Sequence, residues 1–122
     1  MGDRCVIVVK DENSFPSAGV YLHWNGYNAV ELLTQAIPYM RKGDPDYSTA
    51  RLIGCLHAVI EGNLGLGVLP APSQKDAEHK FTKYSHGDAG VLVYDCGTGK
   101  LEAFSGYLTD EKIPSDLPLP PP

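Results

Sequence analysis

The segment "RCVIVV", residues Arg4–Val9, decides the fold of this chain. It is short and rich in β-branched residues, which favours a β-strand. Both of its alternating sets of side chains are mainly apolar, whereas a strand with one face in water alternates apolar and polar residues. We therefore predict a central strand that is covered on both faces.

A second strand is predicted at "VYLHW", residues Val20–Trp24. The loop before it is polar, and the two strands are close enough in sequence to form an antiparallel pair. A period of two places Tyr21 and His23 on one face and Trp24 with apolar residues on the other. We expect Trp24 to be a core residue and the face that carries His23 to be half open to solvent.

Apolar residues then recur at helical spacing, first in residues 28–43 and again in residues 44–63. The side chains of Asn28 and Asp44 suit the N-caps of these two predicted helices. Pro38 has no backbone N–H and crowds the preceding turn, so it predicts a kink or an early stop in the first helix.

The C-terminal half predicts further strands. Residues 66–69 are compatible with a short strand, and residues 75–86 are predicted to be a polar loop. Strands at 90–95 and 101–108 flank the segment "CGTGK", whose two glycines are typical of a compact hairpin turn.

The resulting order, β-β-α-α-(β)-β-β, separates strands from helices instead of alternating them. It predicts an α+β fold, an antiparallel sheet of four or five strands with two helices on one face. Residues 1–109 form a single domain in this prediction. Residues 110–122 are proline-rich, and because proline has no N–H to pair, we expect them to form an extended, flexible tail.

The charge of the chain restricts its partners. The 122 residues include 10 Lys and Arg against 15 Asp and Glu, for a net charge of −5. The sequence contains no basic cluster that could neutralise phosphates, so we expect no direct binding to nucleic acid. An acidic surface of this kind favours a basic protein partner.

The cysteines indicate the compartment. Cys5, Cys55 and Cys96 are widely spaced and include no C-x-x-C pair, which predicts free thiols in a reducing cytoplasm. Cys5 lies among valines, where cysteine is usually a small core residue and not a nucleophile. The apolar run Cys5–Val9 is too short for a signal peptide or a membrane span, so we expect a cytoplasmic protein with no membrane partner.

The histidines are weak candidates for metal ligands. His57, His79, His86 and Asp88 could converge with His23, but none of their spacings is diagnostic of a metal site. His57 lies on the apolar stripe of the second helix, a position typical of a buried, hydrogen-bonded histidine. We expect no metal, no cofactor and no catalytic residue.

Core packing leaves Tyr21 and His23 unexplained, because they lie on the strand face opposite the apolar residues. We predict a binding site that contains Tyr21, His23, Asn25 and Asp88. His23 would be its hydrogen-bonding or acid–base group, and Asp88 could hold a histidine in position. A purely structural role for these residues stays open at this point.

Four blocks in order along the chain carry a resemblance: "GDRCVI" (Gly2–Ile7), "VYLHWNG" (Val20–Gly26), "AVELL" (Ala29–Leu33) and "GDAGV" (Gly87–Val91). The chain resembles a group of small proteins of bacteriophages, plasmids and their hosts. That group carries a similar opening, a Y-[LV]-H-W-[NG]-G strand end and a late G-D-[NA]-G-V. The resemblance implies a cytoplasmic protein of a mobile genetic element in a bacterial host, and it assigns no catalytic residue.

Two functions are consistent with this setting. The first is a non-catalytic protein-binding module, an inhibitor of a host defence system of the anti-CRISPR type, with an acidic surface matched to a basic nucleic-acid-binding complex. The alternative is a small cytosolic enzyme or ligand-binding domain with its site at His23, Tyr21 and Asp88; a concave pocket there would favour it. A third interpretation is a homodimer that pairs through an edge strand such as Leu101–Phe104.

Overall fold

The computed structural model describes residues 2–59 and 65–122. The described residues contain strands and helices in an α+β arrangement, which confirms the predicted fold class. The strands are β1 (Cys5–Lys10), β2 (Gly19–Leu22), β3 (Leu66–Leu69), β4 (Gly90–Asp95) and β5 (Leu101–Phe104), and the helices are α1 (Ala29–Ala36), α2 (Pro45–Val59) and α3 (Gln74–Glu78). None of these helices combines the length and apolar content needed to cross a bilayer.

The five strands form one sheet in the order β3-β2-β1-β4-β5, with β1 in the centre. β1 is antiparallel to β2 but parallel to β4, so the sheet is mixed, and the prediction of an antiparallel sheet is wrong at this pair. The reason lies in the connection between β3 and β4. Residues 70–89 cross the sheet from one end to the other, as a connection between parallel strands requires, and return β4 to the end where β1 begins.

The central strand is buried on both faces, as its sequence predicts. The side chains of Cys5, Ile7 and Val9 join one core with α1 and α2, and those of Val6 and Val8 join a second core on the opposite face. Each of these five residues is at most 1% exposed. Both α1 and α2 therefore contribute to the same face of the sheet, which is the predicted placement of the helix pair.

The second face is covered by the segment predicted to be a polar loop. Ser73 caps the short helix α3 by accepting a hydrogen bond from the Asp76 N–H at 3.1 Å, while the Asp76 carboxylate accepts one from the Ser73 N–H at 2.8 Å. After α3, Phe81 turns inward and packs on Phe104, with ring centroids 5.1 Å apart. The polar residues around Phe81 hide this apolar cover in the sequence pattern.

Pro38 ends the first helix, as predicted. The α-helix stops at Ala36 and tightens into a 3-10 turn over Ile37–Tyr39. Asp44 caps α2 by accepting a hydrogen bond from the Tyr47 N–H at 3.1 Å. Asn28 occupies the N-cap position of α1, but its side chain makes no capping hydrogen bond.

The buried face of α2 differs from the predicted stripe. His57 is exposed, so its prediction as a core residue is wrong. The helix buries Leu52 and Leu56, which belong to the predicted stripe, and on the same side Ser48, which does not. Ser48 tolerates burial because its hydroxyl donates to the Arg41 carbonyl at 3.0 Å and accepts from the Arg41 N–H at 3.2 Å. Hydropathy alone does not predict the burial of Ser48, because these hydrogen bonds do not appear in a hydropathy pattern.

The proline-rich segment packs on the domain instead of forming the predicted free tail. Leu117 is buried, and its N–H donates to the Gly99 carbonyl at 2.8 Å. The Ser115 carbonyl accepts a hydrogen bond from the Leu101 N–H at 2.9 Å, beside the outer edge of β5. Proline removes donors only, so the carbonyls of this segment still accept hydrogen bonds from the folded domain.

Tyr94 tests how firmly this segment is held. Its ring is fully buried, and its hydroxyl donates to the Pro118 carbonyl at 2.6 Å. Tyr94→Phe should lower the free energy of unfolding by about 1–2 kcal/mol, because the carbonyl loses its partner. Denaturant unfolding measures this, with Tyr39→Phe, an exposed tyrosine, as the control that should change little. Equal stability of the two variants would contradict an anchoring role for this bond.

Candidate functional site

The candidate side chains lie at the end of the sheet where β1 and β4 begin and β2 ends. Because β1 and β4 are parallel and in register from Cys5 and Gly90, the residues before them lie side by side. Arg4 therefore lies beside Ala89, whose N–H donates to the Arg4 carbonyl at 2.9 Å, and Asp88 is the next residue out from β4. Antiparallel pairing of β2 with β1 brings His23, just after β2, to the same end. Sheet topology therefore assembles groups that are far apart in sequence.

Tyr21 and His23 form a directly bonded pair. Their side chains share the strand face opposite Val20 and Leu22, as predicted, and the Tyr21 hydroxyl lies 2.6 Å from His23 Nδ1. His86 packs on the ring of Tyr21 with centroids 4.8 Å apart. Tyr21 thus contacts two histidines, and the hydroxyl is already hydrogen-bonded to one of them.

The backbone of His23 is fixed from both sides. Its N–H donates to the Gly65 carbonyl at 2.9 Å, and its carbonyl accepts from the Asp3 N–H at 2.8 Å. Gly2 lies against the ring, since a Cβ added there would be 3.0 Å from His23 Nε2. These contacts hold the imidazole beside the sheet even though β2 itself ends at Leu22.

Asp88 is bound to Arg4, a residue that the sequence did not mark. The Arg4 backbone N–H and side-chain Nε both donate to Asp88 Oδ2, at 3.0 and 2.9 Å. These bonds hold the pKa of Asp88 below its ordinary value, and the nearby charge of His23 acts weakly in the same direction. The two residues are 84 positions apart, so no local pattern could have paired them.

Asn25 contributes through its backbone. Its carbonyl accepts a hydrogen bond from the Asn28 N–H at 3.3 Å, and this bond forms the start of the 3-10 turn Gly26–Asn28. Tyr21, His23 and Asp88 lie at one end of the sheet, and Asn25 lies in the turn beside them. The binding role predicted for these four residues stays a prediction.

Trp24 is not a core residue, and that prediction is wrong. Its side chain is 52% exposed, because β2 stops at Leu22 and the alternation of faces does not continue past the strand end. The indole packs edge-on against His23, with ring centroids 4.1 Å apart, and lies over Gly65, where an added Cβ would be 2.7 Å from Cδ1. Trp24 is therefore an ordered but accessible aromatic group.

Asp3 holds the turn that follows Trp24. Its Oδ2 accepts from the Tyr27 N–H at 2.8 Å, and its backbone carbonyl accepts from the Gly26 N–H at 2.8 Å. Its other carboxylate oxygen accepts from the Tyr107 hydroxyl at 2.7 Å. The Tyr27 side chain is 70% exposed at this fixed turn. Sequence reasoning missed Asp3 and Tyr27, since an Asp before a strand has many roles.

The cysteines are free thiols in the structure. Burial raises the pKa of Cys5 to about 12, so its thiol stays protonated at neutral pH and is a poor nucleophile. Burial raises the pKa of Cys96 as well. Across residues 2–59 and 65–122, no group of three or more His, Cys, Asp or Glu is arranged to hold a metal ion.

The Arg4–Asp88 pair gives a pH-dependent prediction. A carboxyl whose folded pKa lies below its ordinary 3.8 stabilises the fold above that value, and the contribution is lost as pH falls through the folded pKa. Asp88→Asn should therefore be less stable than the wild type at neutral pH, with the difference shrinking below pH 3.8. Thermal unfolding across pH measures this.

Asparagine is the matched substitution because Asp88 has φ of 56°, a conformation that Asn also adopts. Backbone strain is thereby kept out of the comparison. A stability difference that is the same at every pH would contradict the role of the charge.

Comparison with protein-family models, with curated proteins and with solved structures finds no match to this chain. The resemblance to phage and plasmid proteins stays a prediction from sequence.

Proposed function

We propose that this protein is a non-catalytic protein-binding module that contacts its partner with residues His23–Tyr27, here called the aromatic turn. The observation that carries the proposal is the exposure of Trp24 and Tyr27, 52% and 70%, on a turn fixed by hydrogen bonds to Asp3. Trp and Tyr are enriched among the residues that dominate binding energy at interfaces. A turn that is already ordered loses little conformational entropy on binding.

The polar groups beside the aromatic turn support recognition over acid–base chemistry. His23 Nδ1 is occupied by the Tyr21 hydroxyl at 2.6 Å, and the Asp88 carboxylate is neutralised by Arg4 at 2.9 Å. A general base needs a free nitrogen or oxygen within reach of substrate. These polar groups are hydrogen-bonded to one another and lie beside exposed aromatic side chains. Such an arrangement suits a surface to which a protein partner binds.

The chemistry of the partner follows from charge. A net charge of −5 favours a partner with a basic surface, for which long-range attraction raises the association rate. A nucleic-acid-binding complex of a bacterial defence system has such a surface. The proposal therefore includes inhibition of a host defence complex in the bacterial cytoplasm, which rests on this charge and on the sequence resemblance.

The test compares two exposed aromatic residues. Wild type, Trp24→Ser and Phe15→Ser are immobilised and exposed to lysate of the bacterial host, and retained proteins are identified and their affinities measured. Phe15 is the matched control because it is 92% exposed but lies in the loop between β1 and β2. We expect Trp24→Ser to lower the affinity for a specific partner by roughly 30-fold, about 2 kcal/mol, and Phe15→Ser to leave that affinity unchanged.

Two results would overturn the proposal. One is retention of the same proteins with the same affinity by all three chains. The other is the absence of any specific partner among candidate defence complexes when each is measured separately. The salt dependence adds a check, since binding to a basic partner should weaken as ionic strength rises.

A second candidate function is the binding of a small ligand at Tyr21, His23 and Asp88, and the short Tyr21–His23 bond of 2.6 Å favours it. The bond occupies Nδ1, so Nε2 is the ring nitrogen that would meet a ligand. His23→Gln keeps an amide that can hydrogen-bond but cannot titrate. If this variant folds and binds the protein partner with wild-type affinity, His23 is not required for the protein interaction, and a small-ligand role for it would be separate from that interaction.

A further inference from the structure

The two edge strands of the sheet, β5 and β3, differ in whether another segment covers them. At β5, the C-terminal segment lies along the outer edge, and the Ser115 carbonyl accepts the hydrogen bond that the Leu101 N–H directs outward. At β3, among the residues that the structure describes, β2 is the only strand neighbour. An uncovered edge strand is a template for pairing with another chain.

The register identifies which groups of β3 point outward. β2 and β3 are antiparallel with Tyr21 opposite Gly67, and the His23 N–H donates to the Gly65 carbonyl further along the same ladder. In an antiparallel pair, hydrogen-bonded and non-hydrogen-bonded positions alternate. Gly65 and Gly67 therefore face β2, and the N–H and C=O groups of Leu66 and Val68 face away from the sheet.

The outer edge of β3 is suited to pairing with β3 of a second copy of the chain. Leu66 and Val68 flank Gly67 symmetrically, so an identical antiparallel strand centred on Gly67 would match each outward N–H with an outward C=O. No charged residue occurs between Gly65 and Ser73, whereas charges on an edge are a common protection against pairing. The Val68 side chain is 61% exposed and would gain an apolar neighbour, Leu66 of the second copy.

We propose that β3 pairs with β3 of a second copy of this chain, in an antiparallel register centred on Gly67, to form a continuous sheet across a two-fold axis. This inference is independent of the proposed function, since it uses neither Trp24 nor Tyr27. Self-association through β3 replaces the pairing through β5, Leu101–Phe104, that the sequence suggested. Each copy carries a net charge of −5, so pairing should strengthen as added salt screens the repulsion.

The test is sedimentation equilibrium of the full chain over a wide range of concentration, at low and high salt. We expect a monomer–dimer equilibrium that shifts to dimer with concentration and with salt. Val68→Pro should abolish the dimer while preserving the fold, because it removes an N–H that faces away from β2. Ala103→Pro is the matched control, since Ala103 has the corresponding outward position on β5 and its change should leave the dimer intact.

A second variant covers the case in which proline disturbs β3. Val68→Lys places a charge on the exposed edge without altering the backbone, and it should also yield a monomer with an unchanged unfolding transition. Amide hydrogen exchange gives the residue-level readout: the Leu66 and Val68 amides should become protected as concentration rises. A chain that stays monomeric at the highest concentrations, or a dimer that survives both Val68 variants, would overturn the proposal.

Discussion

Burial of β1 on both faces is the constraint on which the rest of the structure depends. Five consecutive residues, Cys5–Val9, are at most 1% exposed, so the strand requires neighbours on each side and a cover on each face. Helices α1 and α2 supply one cover. The other comes from residues 70–89, and this crossing is also what makes β4 parallel to β1.

The candidate site is a consequence of that crossing. Parallel alignment of β1 and β4 places Arg4 beside Asp88, with two hydrogen bonds to one carboxylate oxygen. The same end of the sheet receives Tyr21 and His23 from β2. Core packing thus determines where the polar groups meet, and the exposed side chains of the aromatic turn are added at that fixed position.

Local signals in the sequence predicted much of the fold. The unbroken run of apolar residues predicted the central position of β1, Pro38 marked the end of α1, and Asp44 marked the start of α2. Each of these signals acts within a few residues. The sequence did not show that the segment around Phe81 covers the second face of the sheet. A single aromatic residue in a polar segment produces no periodic pattern.

The site was less predictable because its geometry is set at long range. Trp24 was placed in the core by extending a period of two beyond Leu22, but the strand ends there, and Asp3 holds the turn that follows. Ser48 is buried on α2 with hydrogen bonds to Arg41, which hydropathy does not register. The Tyr21–His23 pair was predicted to share a face because the two residues are only two positions apart, and His23 directly follows the strand end at Leu22.

Fluorescence of Trp24 tests the central claim most directly, because it is the only tryptophan of the chain. The account predicts that the folded protein has red-shifted emission that acrylamide quenches efficiently, since the indole is 52% exposed. Binding of a partner to the aromatic turn should shift the emission to the blue and protect it from quenching. Blue-shifted, quencher-resistant emission from the free folded protein would contradict the account, because it would place Trp24 in the core.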